Sequence, residues 1–146
     1  MTLRPPAAER VLIPGPAGAI ETLVEAPAQV RGIGLVCHPH PLFGGTAENK
    51  VAQTLAKTLR ELGYAALRPN FRGVGASEGG HDEGEGETAD MLAVLDWARS
   101  RYGELPVALA GFSFGAYVHT KVAARLAEAG FRVLLLDAGG VAPRRC

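Results

Sequence analysis

The segment Gly111-Phe112-Ser113-Phe114-Gly115 sets a serine between two glycines at the spacing Gly-x-Ser-x-Gly. It follows the apolar run "PVALAG" and leads into "AYVHTKVAARLAEAG", a stretch that reads as a helix. A serine hydroxyl attacks a carbonyl only when its backbone holds it clear of its neighbours and a base takes its proton. A sharp turn from strand to helix does the first of these. The residues two before and two after the serine must then be small, and Gly111 and Gly115 meet that need. The same turn lays the serine oxygen beside the free N–H groups and positive end of the helix. The Phe114 N–H is therefore a candidate to hold an oxyanion. The competing reading of Ser113 is an ordinary N-cap whose hydroxyl bonds to the first helical turn.

A second oxyanion donor is expected from the loop after the first parallel strand. That loop reads His38-Pro39-His40-Pro41-Leu42-Phe43-Gly44-Gly45. Prolines have no N–H, so the donor is the backbone of His40 or otherwise that of Leu42. The base is harder to find. His119 lies six residues beyond Ser113 on the helix, about 120° round it and roughly 9 Å further along, and reads as a packing residue. His40 reads as acting through its backbone, and His81 as a solvated residue of an acidic loop. Asp137, the one aspartate after Ser113, is a candidate acid, weighed against a turn residue at a strand end.

Two other chemistries are weakly signalled. His38-x-His40 would put two imidazoles on one side of an extended segment, but only Asp82, Glu83 and Glu85 offer themselves as distant further ligands. "GGTAENK" follows a strand and opens a helix, yet it lacks the Gly-x-x-x-x-Gly-Lys-Ser/Thr spacing of a phosphate loop. No metal and no organic cofactor is expected.

These loops need a scaffold, and the rest of the chain supplies one. "ERVLIPG" and "AIETLVEAP" alternate around Pro14-Gly15-Pro16 and read as an antiparallel pair. "GIGLVCHP", "YAALRPN", "PVALAG" and "FRVLLLD" are unbroken apolar runs, the mark of strands buried on both faces. Three helical stretches separate them. In the first, Val51, Leu55, Leu59 and Leu62 are expected inward; the second is read as "TADMLAVLDWARSRYG". Alternating buried strands and helices imply an α/β fold with a mostly parallel sheet and helices on both faces, as one domain over 1–146. Ligands in such sheets sit at the carboxyl ends of the strands, where the loops 38–46, 70–87 and 111–116 converge.

Composition narrows the partners. With 15 basic and 15 acidic residues among 146, the chain has no basic surplus for nucleic acid and no polybasic run for a membrane. No segment is apolar enough to span a bilayer, and the first residues lack the core of a secretory signal. Two cysteines, Cys37 in a strand and Cys146 at the end, indicate no disulfide framework, so a cytoplasmic home is expected.

"CHPHPLFGGTAENK", "LRPNFRGVGASEGGHDEGEGE" and "LAGFSFGAYV" together resemble the α/β-superfamily hydrolases, small enzymes of the dienelactone-hydrolase and esterase kind. The resemblance covers roughly residues 10–136. It implies an α/β-hydrolase core and hydrolysis of a small ester or related acyl compound by a Ser-His-Asp triad. Ser113 matches the family's nucleophile, and His40 and Phe114 its oxyanion-hole positions. Asn70, Arg72, Gly73 and Gly75 match a loop that shapes the site. The family carries its acid and its histidine beyond the fourth parallel strand, and after Leu136 the sequence departs from the pattern, so 137–146 reads as a divergent tail. The expectation is a hydrolase core lacking its last strands. The rival expectation is an inactive hydrolase-fold fragment or binding module, whose 132–137 strand forms an apolar edge suited to a homodimer.

Overall fold

The two alternating runs fold back on each other as β1 (Glu9–Gly15) and β2 (Gly18–Glu25), antiparallel across the turn at Pro16-Ala17. In this computed structural model, which describes residues 8–137, the four apolar runs are the next four strands. They are β3 (Gly32–Cys37), β4 (Tyr64–Pro69), β5 (Val107–Gly111) and β6 (Val133–Asp137). The helices between them are α1 (Lys50–Glu61), α2 (Glu85–Tyr102) and α3 (Phe114–Glu128). The sheet order is β1-β2-β4-β3-β5-β6, with β4, β3, β5 and β6 parallel and β2 antiparallel to β4.

Alternation within the central strands divides the core into two layers. Ile33, Leu35 and Cys37 of β3, with Val107 and Leu109 of β5, pack beneath Met91, Val94 and Leu95 of α2 and Val118 and Val122 of α3. Val36, Ala66, Ala108 and Ala110 point the other way, against Ala52, Ala56 and Leu59 of α1. Small residues on that face let α1 lie close to the sheet: a Cβ on Gly34 would come within 2.7 Å of Leu59 Cδ1. The fold class is therefore the expected α/β sandwich of helices about a mostly parallel sheet.

Three details differ from the sequence reading. The buried face of α1 is Ala52, Ala56 and Leu59; Leu62 is exposed because the helix has already ended and the chain turns at Gly63 with φ 93°. Helix α2 starts at Glu85, three residues before the expected Thr88. The early start comes from Glu87, which accepts the backbone N–H groups of Asp82 and Gly84 and caps the first turn. Strand β6 is the last in the order, and its Leu134, Leu135 and Leu136 are exposed. The tail read as divergent lies outside the described residues apart from Asp137, as does Cys146. Among the described residues no helix is long and apolar enough to cross a membrane.

Candidate active site

The carboxyl ends of β3, β4 and β5 deliver three loops to one place. The His40 ring lies 4.7 Å from that of Phe114 and 4.8 Å from that of His81. His81 in turn lies 5.4 Å from Phe114, and Phe71 packs edge-on to Phe114 at 5.3 Å. Rings from all three loops thus meet around the residue that follows Ser113.

Ser113 has φ 58° and ψ −120°, a left-handed conformation that L-residues avoid. Holding it costs on the order of 1–3 kcal/mol, which the flanking strand and helix must supply. The side chain is exposed and makes no hydrogen bond to the first turn of α3, although the residue stands at the N-cap position. An ordinary cap spends its hydroxyl on the helix; this one leaves it facing solvent. The two glycines are required by contact. A Cβ on Gly111 would come within 2.7 Å of the Ala116 nitrogen. One on Gly115 would run into the carbonyl of Cys37, 2.5 Å from its carbon. Gly115 is where α3 touches the end of β3, so it sets the spacing between the serine turn and the His38–Gly45 loop.

That loop is bound to itself. His40 caps a short turn, Pro41–Phe43, and its Nδ1 accepts the Leu42 N–H at 3.1 Å. The Leu42 donor is thereby occupied. The N–H groups of His40 and Phe114 donate to no described residue. Burial lowers the His40 imidazole from its usual value, with the neighbouring His81 adding to the effect and the Glu87 carboxylate opposing it.

His38 and His119 are structural. His38 accepts the Phe71 N–H on Nε2 and donates from Nδ1 to the Pro39 carbonyl, which leaves no lone pair for a metal. It ties the loop after β3 to the loop after β4. His119 reaches from α3 under the sheet, where Nε2 contacts the carbonyls of Leu35 and Ala110, each at 3.0 Å. Burial pulls both imidazoles down to about 4, against the weaker opposing effect of their carbonyl bonds. Both are neutral in the folded chain at pH 6, whereas in the unfolded chain both titrate near 6.5. Stability is therefore full above pH ~6.5 and falls as pH drops from there to about 4, by on the order of 3 kcal/mol per histidine. Urea unfolding at pH 7 and pH 4.5 measures this; His119→Asn should reduce the difference.

His81 is not the solvated residue expected. Its ring is covered by His40 and Phe114, and Nδ1 stands 3.3 Å from Oε2 of Glu87, close enough to pair yet misaligned for a hydrogen bond. Glu87 is fully buried. The signal for it was present: a glutamate three residues after Gly84 is where a capping carboxylate sits. The loop behind is tied down by several polar contacts. Arg72 grips Asp90 of α2 with two bonds of 2.8 Å, and Asn70 joins the Ala47 N–H to Glu21. Gly73 and Gly75 take left-handed turns between them. Asp90→Ala should destabilise the fold by about 3–5 kcal/mol, because it strands the Arg72 charge; a denaturant midpoint checks it. Asp137 ends β6 opposite Gly111 in the β5–β6 register, at the same edge of the sheet as Ser113.

A family profile described as X-Pro dipeptidyl-peptidase (S15 family) matches residues 19–144. Among solved structures, an α/β serine hydrolase homologue from Coxiella burnetii is 50% identical with a TM-score of 0.75, over 79% of this chain and 56% of that one. XC6422 from Xanthomonas campestris, an α/β serine hydrolase without a lid, is 40% identical with a TM-score of 0.78, over 87% of this chain and 60% of that one. The lysophosphatidylserine lipase ABHD12 of Gallus gallus is 38% identical over 95 residues, which are 62% of this chain and 25% of the lipase. The chain thus spans little more than half of either solved relative and a quarter of the lipase.

Proposed function

This chain belongs to the X-Pro dipeptidyl-peptidase (S15) family and has the α/β-hydrolase fold, and we propose on that premise that it hydrolyses a small ester or related acyl compound through Ser113. The observation that carries the proposal is the backbone of Ser113, held at φ 58° with its hydroxyl unspent. A strained conformation survives where the surroundings enforce it and function uses it.

In this reading the Ser113 Oγ attacks the substrate carbonyl and its proton passes to an imidazole. The carbonyl oxygen becomes an oxyanion and is received by the N–H groups of His40 and Phe114. The alcohol departs with the proton, leaving an acyl-serine that water then cleaves. Of the four histidines, His40 and His81 have rings against Phe114, beside Ser113, whereas the rings of His38 and His119 are held by backbone groups. His40 Nδ1 already accepts the Leu42 N–H, so its neutral ring has no free lone pair, and a base drawn from the described residues is His81. The buried Glu87 carboxylate stands 3.3 Å from His81 Nδ1 without a hydrogen bond to it, and a turn of the ring that made that bond would let the acid orient the imidazole.

The oxyanion assignment has its own test. The φ of His40, −56°, is one proline adopts, so His40→Pro removes the N–H at a φ the residue already has. It should lower kcat about 10²–10³-fold, as the loss of one oxyanion donor does elsewhere. His40→Asn keeps the N–H and should retain most of the rate where His40 acts through its backbone alone. The test of the whole proposal is turnover of p-nitrophenyl butyrate that disappears in Ser113→Ala.

A further inference from the structure

A concave surface is built from residues that take no part in the Ser113 site. A groove of about 510 Å³ runs along α1, over the last residue of β2 and Arg68 near the end of β4. Its charged lining consists of Lys50, Lys57, Arg60 and Arg68 against the single carboxylate of Glu25. Lys50, Lys57 and Arg60 recur at helical spacing along α1, and Arg68 rises from the strand beneath.

The floor is the informative part. Glu25 is shared between two guanidiniums, Arg60 at 2.7 Å and Arg68 at 2.8 Å. The side chains of the three are only 15%, 10% and 7% exposed for Arg60, Glu25 and Arg68. Two cations and one anion leave a surplus positive charge in a poorly solvated place. Burying charge that is not fully compensated is costly, so a floor of this kind adds nothing to stability that apolar residues would not add more cheaply. Arg68 is held upright by the Ala47 carbonyl at 2.7 Å, and its Nε has no partner. At the rim, Lys50 and Lys57 pair with no carboxylate among the described residues. All this belongs to a chain whose acidic and basic residues balance overall.

We propose that this groove binds a phosphate-bearing anion, by guanidinium contacts on the floor and lysine contacts at the rim. Planar guanidinium donors suit phosphate oxygens, and lysines add point charge around them. The phosphate could belong to a soluble phosphate ester or to a lipid headgroup; the chemistry recognised is the same.

The probe is inorganic phosphate, titrated into the isotopically labelled full chain and compared with sodium chloride at matched ionic strength. Saturable amide shifts at Lys50, Lys57, Arg60 and Arg68 are expected with phosphate alone. Lys50→Gln with Lys57→Gln, both exposed helix positions that leave the fold intact, should weaken binding at least tenfold. Ser113→Ala should bind as the parent does, which keeps this result separate from the hydrolase reading. Flotation with phosphatidic-acid vesicles that free phosphate displaces would assign the phosphate to a headgroup; saturable phosphate binding without flotation would assign it to a soluble ester. Shifts that chloride reproduces, shifts the lysine variant leaves unchanged, or flotation that phosphate does not displace would overturn the proposal.

Discussion

Ser113→Ala reduces ester hydrolysis to the buffer rate, a loss of about 10³-fold or more, while the melting temperature stays within a degree or so. The two halves of this expectation have one origin. The Ser113 hydroxyl is exposed and bonded to nothing in the helix it precedes. Alanine at φ 58° is strained as serine is, and no cap is lost, so the fold is indifferent to the change. The chemistry is not, because the attacking atom is gone. A serine that merely capped α3 would give the reverse pattern, with lower stability and unaltered rate. Measuring the p-nitrophenyl butyrate rate and the melting curve on the same preparations separates the two.

Gly115→Ala removes hydrolysis with Ser113 still present and destabilises the fold by about 3 kcal/mol or more. The added Cβ would meet the Cys37 carbonyl, and would stand 2.7 Å from the His38 oxygen. These are backbone atoms, which cannot rotate aside as a side chain can. Nor can β3 retreat, since β4 and β5 flank it on either side. The start of α3 has to move instead, and it carries the Phe114 N–H away from that of His40. Overpacking a close contact of this kind commonly costs 1–3 kcal/mol, and more when backbone must shift. Urea unfolding and the ester rate check the two parts. A variant that is stable and active would mean the α3–β3 contact does not set the site.

Much of this is legible in the sequence alone. Unbroken apolar runs marked β3, β4 and β5, because a strand covered on both faces has no polar side to show; the same pattern located β6 but not its exposure, which follows from its place at the end of the strand order. Gly-x-Ser-x-Gly marked the turn at Ser113, since close backbone contact admits only glycine at those two places. What sequence could not supply was contact between segments distant in the chain. His81 read as solvated because its neighbours in sequence are glycines and acids; its cover comes from His40 and Phe114, some forty and thirty residues away in sequence. The face of α1 was misjudged at Leu62 because periodicity does not show where a helix stops. The Arg60–Glu25–Arg68 floor joins three elements, and nothing local announces it. Nor does local pattern say whether Leu42 or His40 keeps its N–H open; that follows from where the His40 ring turns.

The central claim is that Ser113 is a nucleophile, and covalent capture tests it most directly. The full chain would be incubated with a fluorophosphonate ester and its intact mass and peptide map recorded. The account predicts a single phosphonyl adduct, carried by the peptide containing Ser113 and absent from Ser113→Ala. No adduct on a folded chain, or an adduct that persists in Ser113→Ala, would contradict it.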